Sequence, residues 1–398
     1  MVHQAGTAGT RSVGPGTEAG APASFPLAAF SLAALGGRVE VDGLTPGETS
    51  ELADAWSRCL PDGSEPTVVD RMERGSGDWT RFHEDLVHRA TRAGIDSGRG
   101  ELLMFHAAAL ACPATGATIV LAAASGTGKT TATRTLGKVF GYVTDETAAV
   151  RTDLSMAAFA KPLSVLPASG LRPKTQYSPD ALGLLPAPAD PRLAVVAVLH
   201  RDRTGETGSA TAEVVPLLEA LEGLAPQISS LAALDRGLVR LCETLDACGG
   251  LRRLRYAEAE QLVPLVDGLL AGAPDAREGA GGALSPAGSQ WRALPPVDIR
   301  GGRPGESQGG PAEAGSCRRV EVDDAVAVGD DLVLLHGERL SVLSGIGPAL
   351  WHAARDWCGP ADLKGAVVRE FGDHPEADVL LAEHLEALVQ RGILAVAV

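Results

Sequence analysis

Between Leu121 and Thr135 the chain reads LAAASGTGKTTATRT, an apolar run that ends in glycines, hydroxyl side chains and one lysine. Gly126 and Gly128 free the backbone to aim successive N–H groups at one point, the convergence that holds phosphate oxygens at a helix start. Lys129 would then reach the β and γ phosphates of a nucleoside triphosphate, and the Thr130 hydroxyl is placed to ligate Mg²⁺. The candidate nucleotide-binding residues are Ser125, Gly126, Thr127, Gly128, Lys129, Thr130 and Thr131. Ala123 occupies the first glycine position of G-x-x-x-x-G-K-[ST], so only the second half of that pattern is strictly met.

Further side chains with possible chemistry lie on either side of this loop. In GYVTDETAAV, Asp145 and Glu146 fall where a strand could end beside the phosphates. Carboxylates there can hold Mg²⁺ or accept the proton of an attacking hydroxyl; otherwise Asp145 caps a turn between two strands. His106, in LLMFHAAAL, is either a packed core histidine or a site residue. Lys161, in AKPLSVL, reads equally as a phosphate contact and as a surface lysine.

The elements that must position these residues alternate, which predicts an α/β sheet from about residue 101 to 270. Strands are expected at Leu103 to Ala108, Ala117 to Ala122, Gly141 to Val143, Ala148 to Arg151 and Leu193 to Leu199. Helices are expected at Lys129 to Val139, Leu217 to Leu224 and Asp235 to Cys248. Residues 1–24 have little to bury and read as a disordered tail. Residues 25–100 form an accessory segment without evident chemistry: a strand at Arg38 to Val41 and helices at Glu48 to Cys59, opened by Thr45 and Pro46, and at Trp79 to Ala93. Residues 271–317 carry GAGGALSP and RGGRPGESQGGPAEAGS, a Gly/Pro-rich flexible linker of about 40 residues, longer than connections inside a domain usually are.

In order and spacing, FHAAAL, ATIVLAAASGTGKTTATRTLGK and GYVTDE resemble the HPr kinase family and its peptide-modifying relatives, whose fold is that of carboxykinase-type P-loop enzymes. The resemblance spans about Leu102 to Leu199. It implies ATP or GTP with Mg²⁺ as cofactors, Lys129 and Thr130 at the β phosphate and metal, Asp145 as the base for an acceptor hydroxyl, and His106 as the histidine preceding the loop. Asp145, Lys129 and His106 are thus the implied catalytic set, and Thr130, Asp145 and Glu146 the candidate metal ligands. Glu146 stands where the bacterial HPr kinases have a second aspartate, and their downstream glycine-rich signature is absent, which points away from HPr itself as the substrate.

Residues 318–398 regain pattern, with strands at Ala325 to Val328, Leu332 to His336 and Arg339 to Leu343, then helices at Gly347 to Trp357, Ala361 to Phe371 and Pro375 to Gln390. This three-strand, three-helix, winged-helix-like α+β module resembles the PqqD-like family, the leader-peptide recognition elements of ribosomal peptide natural-product pathways. The resemblance implies that a leader adds as a strand along Arg339, Ser341 and Leu343 and packs on Leu381, Leu385 and Leu388 of the last helix. The same leucines would equally serve as core.

Composition bounds the remaining classes. A net charge of -15 in 398 residues argues against nucleic acid as a partner, because counterion release needs a basic surplus. The six cysteines show no metal-ligand or disulfide spacing. Neither a signal peptide nor a run of about 18 apolar residues is present, so a cytoplasmic protein without membrane attachment is expected. Together these readings imply an ATP-dependent kinase acting on a hydroxyl of a ribosomal precursor peptide, with homo-oligomerisation and contact with other maturation enzymes as further expectations. The alternative is a nucleotide-gated peptide chaperone that presents the precursor without phosphoryl transfer. A third reading is phosphorylation of a carrier protein.

Overall fold

The computed structural model describes residues 28–123, 127–167, 170–204, 208–273, 290–299 and 313–397. The predicted tail at 1–24, together with Ser125 and Gly126, lies outside the described residues. Among the described residues no helix is long and apolar enough to cross a membrane.

The predicted α/β sheet is present and mixed. Its six strands run in the order Thr211–Val214, Leu251–Tyr256, Arg192–Arg201, Ala117–Ala122, Ala107–Ala111, Gly141–Thr144. Ala117–Ala122, the loop strand, is parallel to Arg192–Arg201, with Val120 opposite Val196, and antiparallel to Ala107–Ala111, with Val120 opposite Ala109. Both faces are covered, so successive residues serve different cores: Val120 and Ala122 face one cluster with Leu238, Leu241 and Leu245, while Ile119 and Leu121 face another with Leu136 and Val266.

One expected strand proves to be two. Leu103–Phe105 pairs with Ala148–Val150 in a separate four-stranded sheet, and Ala107–Ala111 joins the central one. His106 is the one break in this apolar run, and it sits at the switch, its backbone N–H donating to Gln227 O at 2.6 Å. The break turns the His106 side chain out of both cores, toward the end of the loop strand.

The N-terminal segment forms three strands, Ala28–Ala34, Gly37–Leu44 and Val68–Glu73, under helices Pro46–Ala55 and Trp79–Gly98. The helix opens where Thr45 and Pro46 predict, ends at Ala55 rather than Cys59, and Thr45 closes a capping box with Glu48. Its core, built on Trp56, Phe82 and Leu86, also takes in Phe159 from the central part of the chain. Within it, His83 Nε2 accepts a hydrogen bond from Trp56 Nε1 at 2.9 Å, so this ring is neutral, and burial lowers its pKa to about 4. The unfolded histidine titrates near 6.5, so the stability linked to His83 is complete above that pH and is lost as pH falls toward 4. The slope is about 1.4 kcal/mol per pH unit across that window. Urea unfolding at neutral pH and at pH values inside the window should show the loss, and His83→Gln should flatten it; an equally acid-sensitive variant would assign the effect to other groups.

In the C-terminal segment the predicted strands occur as Asp324–Val328, Asp331–His336 and Arg339–Leu343, with helices Gly347–Ala353, Pro360–Phe371 and Ala377–Gln390. A fourth strand, Trp291–Ala293, pairs with Asp324–Val328, and a short helix covers Pro296–Ile299. Both fall inside the stretch 271–317 read as a flexible linker, whose Gly/Pro content masks Trp291. The Trp291 indole N–H donates to Asp246 at 2.8 Å, and the ring packs on the main core. Residues 274–289 and 300–312 lie outside the described residues.

This small sheet docks on helix Gly237–Ala247. Val326, Val333 and Leu335 complete the main core, and Arg236 Nε lies 2.7 Å from the buried Asp324, whose other oxygen accepts the Val239 N–H.

Candidate functional site

The loop strand ends at Ala122, and the chain re-enters regular structure at helix Lys129–Leu136, the loop helix. Gly128 is its N-cap, with φ +97°. A Cβ there would make only ordinary contacts, so the left-handed backbone is what calls for glycine. Gly128, Lys129, Thr130 and Thr131 line a cleft of about 610 Å³, and His106, Asp145 and Glu146 line the same cleft. Residues scattered over 40 positions of sequence are thereby brought to one place. Thr127 lies just outside the helix, its carbonyl facing the Tyr256 hydroxyl at 3.5 Å.

The two carboxylates follow strand Gly141–Thr144, as predicted. Asp145 does not cap the turn; Thr144 does, its hydroxyl accepting the N–H groups of Glu146 and Thr147 at 3.2 and 3.3 Å. Lys161, read as a phosphate contact or a surface lysine, is neither. It is 0% exposed, with Nζ 2.8 Å from Asp145 Oδ1, 3.6 Å from Glu146 Oε2, and donating to the Pro162 carbonyl at 3.1 Å. Burial works against its charge, but Asp145 and Glu146 outweigh burial and hold its pKa above the usual lysine range. Sequence reasoning also missed Tyr142, whose hydroxyl lies 2.9 Å from Asp145 Oδ1 and 3.0 Å from the Lys161 carbonyl and gives its single proton to one of them at a time. Both ties fall on Oδ1. Oδ2 accepts no hydrogen bond from any described residue, which leaves it as the Asp145 oxygen free for other chemistry.

Glu146 is more open, its side chain 30% exposed. Burial would raise its pKa, yet Lys161, Lys129 and His106 together hold it below the usual glutamate value. His106 joins the two walls: Nε2 lies 3.3 Å from Lys129 Nζ and Nδ1 lies 3.6 Å from Glu146 Oε1. Burial and then the Lys129 charge depress its pKa, so the ring is neutral at pH 7. Because an ammonium can only donate, Nε2 accepts from Lys129 and the ring proton sits on Nδ1, facing Glu146. Burial also holds Lys129 below the ordinary lysine value, against the pull of Glu146 and Asp145.

The donor set fits Mg²⁺. Thr130, Asp145 and Glu146 offer oxygen ligands, and among the described residues no three acidic, histidine or cysteine side chains assemble a cage. A hard cation would therefore take part of its shell from nucleotide phosphates and water.

The predicted peptide site lies elsewhere, on the C-terminal sheet. Arg339–Leu343 is the edge strand in the observed order. The side-chain half of that reading needs correction: Leu343, Leu381 and Leu388 are 2%, 6% and 4% exposed and form the core of this segment, with Leu385 half-buried against it. The short sheet needs those leucines to close its own interior. Arg339 is exposed and Ser341 half-buried. Antiparallel pairing from His336 opposite Arg339 leaves the polar backbone groups of Leu340 and Val342 pointing outward, and one of them, the Val342 carbonyl, already accepts from Arg391 at 3.1 Å.

No family model matches the chain, and no curated protein matches it. Among solved structures it is similar to the Hpr(Ser) kinase/phosphatase from Coxiella burnetii, at 10% identity, covering 42% of this chain and 93% of that chain with a TM-score of 0.24.

Proposed function

We propose that this chain is a P-loop kinase of the HPr kinase type, transferring the γ-phosphoryl group of ATP or GTP to a hydroxyl of a ribosomally made precursor peptide. The observation that carries the reading is the meeting, in one cleft, of Lys129 at the start of the loop helix with Asp145 and Glu146. A phosphate-binding helix start opposite a pair of carboxylates suits positioning and charge stabilisation, the two demands of phosphoryl transfer.

In this reading Lys129 and the loop-helix N–H groups hold the phosphates and take up charge on the leaving group. The acceptor oxygen forms a bond to Pγ as the bond from Pγ to the β-bridging oxygen breaks, and Asp145 Oδ2 takes the hydroxyl proton. Lys161 and Tyr142 fix Asp145 through Oδ1, so the free oxygen keeps one orientation. Bound Mg²⁺, held by Thr130 and Glu146, would supply further neutralisation of phosphate charge. Neutral His106 orients Lys129 and Glu146 relative to each other. The backbone edge of Arg339–Leu343 is where a leader strand would add, by main-chain hydrogen bonds from Leu340 and Val342.

One observation favours the chaperone reading: Asp145 already has a buried cation at 2.8 Å, which leaves it less to gain from a proton. The test is intact-mass spectrometry of the neighbouring precursor after incubation with protein, Mg²⁺ and ATP. A gain of about 80 Da, absent with Lys129→Met, is expected. Nucleotide and leader binding with an unchanged precursor mass would refute the kinase and leave the chaperone.

A further inference from the structure

Facing the loop helix, the other wall of the cleft is a hairpin of Leu163–Val165 and Thr175–Tyr177, and Arg172 and Lys174 stand on the chain just before its second strand. Arg134 enters the same cleft from the loop helix, one turn beyond Thr130. Of the cations around the cleft, Lys161 is answered by Asp145, and Arg172 by Glu84 at 3.0 Å. Arg134 and Lys174 make no side-chain hydrogen bond or ion pair with any described residue. Lys174 does feel Glu146, but Glu146 is shared with Lys161, Lys129 and His106, so in a chain of net charge -15 the cations lining this cleft still outnumber its carboxylates.

Glu84 gives the N-terminal segment a part in this site. It is almost fully buried on helix Trp79–Gly98, whereas the Arg172 side chain it holds is 64% exposed. One guanidinium nitrogen is thus fixed from behind while most of the side chain stays exposed at the cleft lining.

We propose that Lys174, Arg172 and Arg134 form an anion subsite that takes an acidic side chain of the acceptor segment, so that the phosphorylated hydroxyl is one flanked by Asp or Glu. This rests on the kinase reading and deepens it. The subsite belongs to the acceptor because the phosphates are already served by Lys129 and the helix start. In-line displacement brings the attacking hydroxyl to the side of the γ phosphate opposite the β phosphate, and Asp145, its base in this reading, lines the same cleft as Arg172 and Lys174. The carboxylates Asp145 and Glu146 would repel an acidic acceptor, and Lys174 and Arg172 supply the attraction that offsets it. Lys174 is close enough to act electrostatically on both Lys129 and Glu146.

The experiment uses the full chain and two labelled synthetic peptides with one serine each, flanked by Asp and Glu in the first and by Asn and Gln in the second. Binding is read by fluorescence anisotropy with a non-hydrolysable ATP analogue and Mg²⁺, and transfer is read separately by intact mass with ATP. The acidic peptide should bind about tenfold more tightly than its neutral isostere, as charge-assisted hydrogen bonds allow. Lys174→Glu should erase that preference with a much smaller change in nucleotide affinity, because Lys174 reaches Lys129 only as a secondary electrostatic partner, and Glu84→Gln should weaken the preference through Arg172. Equal binding of the two peptides, or binding of neither, overturns the subsite; transfer without charge preference does so while keeping the kinase. Acidic-selective binding without transfer upholds the subsite and removes the kinase. Loss of nucleotide affinity in Lys174→Glu would return that lysine to the nucleotide and overturn the assignment.

Discussion

Replacing Lys161 by methionine is expected to cost the central part of the chain about 3–5 kcal/mol of stability, the effect of deleting one partner of a buried ion pair. Methionine fills much the same volume, so the loss is electrostatic rather than a cavity. It strands Asp145, 4% exposed, with the Tyr142 hydroxyl as its one remaining partner and no cation in contact among the described residues. The pH dependence follows from the directions of the shifts. Lys161 is raised, so its contribution is complete below the ordinary lysine value and disappears only as pH climbs through its raised one. Glu146 is lowered, so its contribution is complete above the ordinary glutamate value and disappears as pH falls through its lowered one. Between those limits the deficit of Lys161→Met should be flat. Adding Asp145→Asn should recover much of it, since the double variant buries no unpaired charge. An unchanged urea midpoint for the single variant would show that the ion pair does not hold the strand end in place.

What the sequence disclosed, and what it hid, divides by range of interaction. The strand and helix that flank the loop were legible because they are contiguous, and the helix start at Thr45 and Pro46 because its signal is local. The hairpin at Gly337 and Glu338 was legible for the same reason, with Gly337 at φ +58° in the turn. Lys161 was misread because its burial depends on Asp145 and Tyr142, which no local pattern joins to it. Leu251–Tyr256 escaped notice as a strand because LRRLRY looks polar; Arg253 is neutralised by Glu213 and Glu219 from other elements. Arg172 and Glu84 are 88 positions apart, and their pairing exists only once the N-terminal helix lies beside the hairpin. The leucine stripe of the last helix was visible, but periodicity alone does not distinguish a stripe that closes a core from one that receives a partner.

The exchange Asp145→Asn is expected to reduce phosphoryl transfer by about 10²–10⁴-fold, the usual worth of a positioned general base. Asp145→Asn should also lower stability, because Lys161 keeps only Glu146 at 3.6 Å as a counter-charge, but nucleotide and leader affinity of the folded protein should barely change, because the amide keeps the shape. Glu146→Gln should act differently. If Glu146 is a metal ligand, its loss should raise the Mg²⁺ concentration needed for half-maximal transfer and leave the rate at saturating Mg²⁺ closer to that of the parent. The two carboxylates are adjacent in sequence but not equivalent: one is clamped through a single oxygen by Lys161 and Tyr142, and the other is open to the cleft and bordered by His106. A larger rate loss in Glu146→Gln than in Asp145→Asn would exchange their roles, making the open glutamate the base and the clamped aspartate its support. If instead neither variant alters a transfer rate that is already nil in the parent, while both change nucleotide affinity, the cleft acts as a nucleotide switch and the kinase reading gives way to the chaperone.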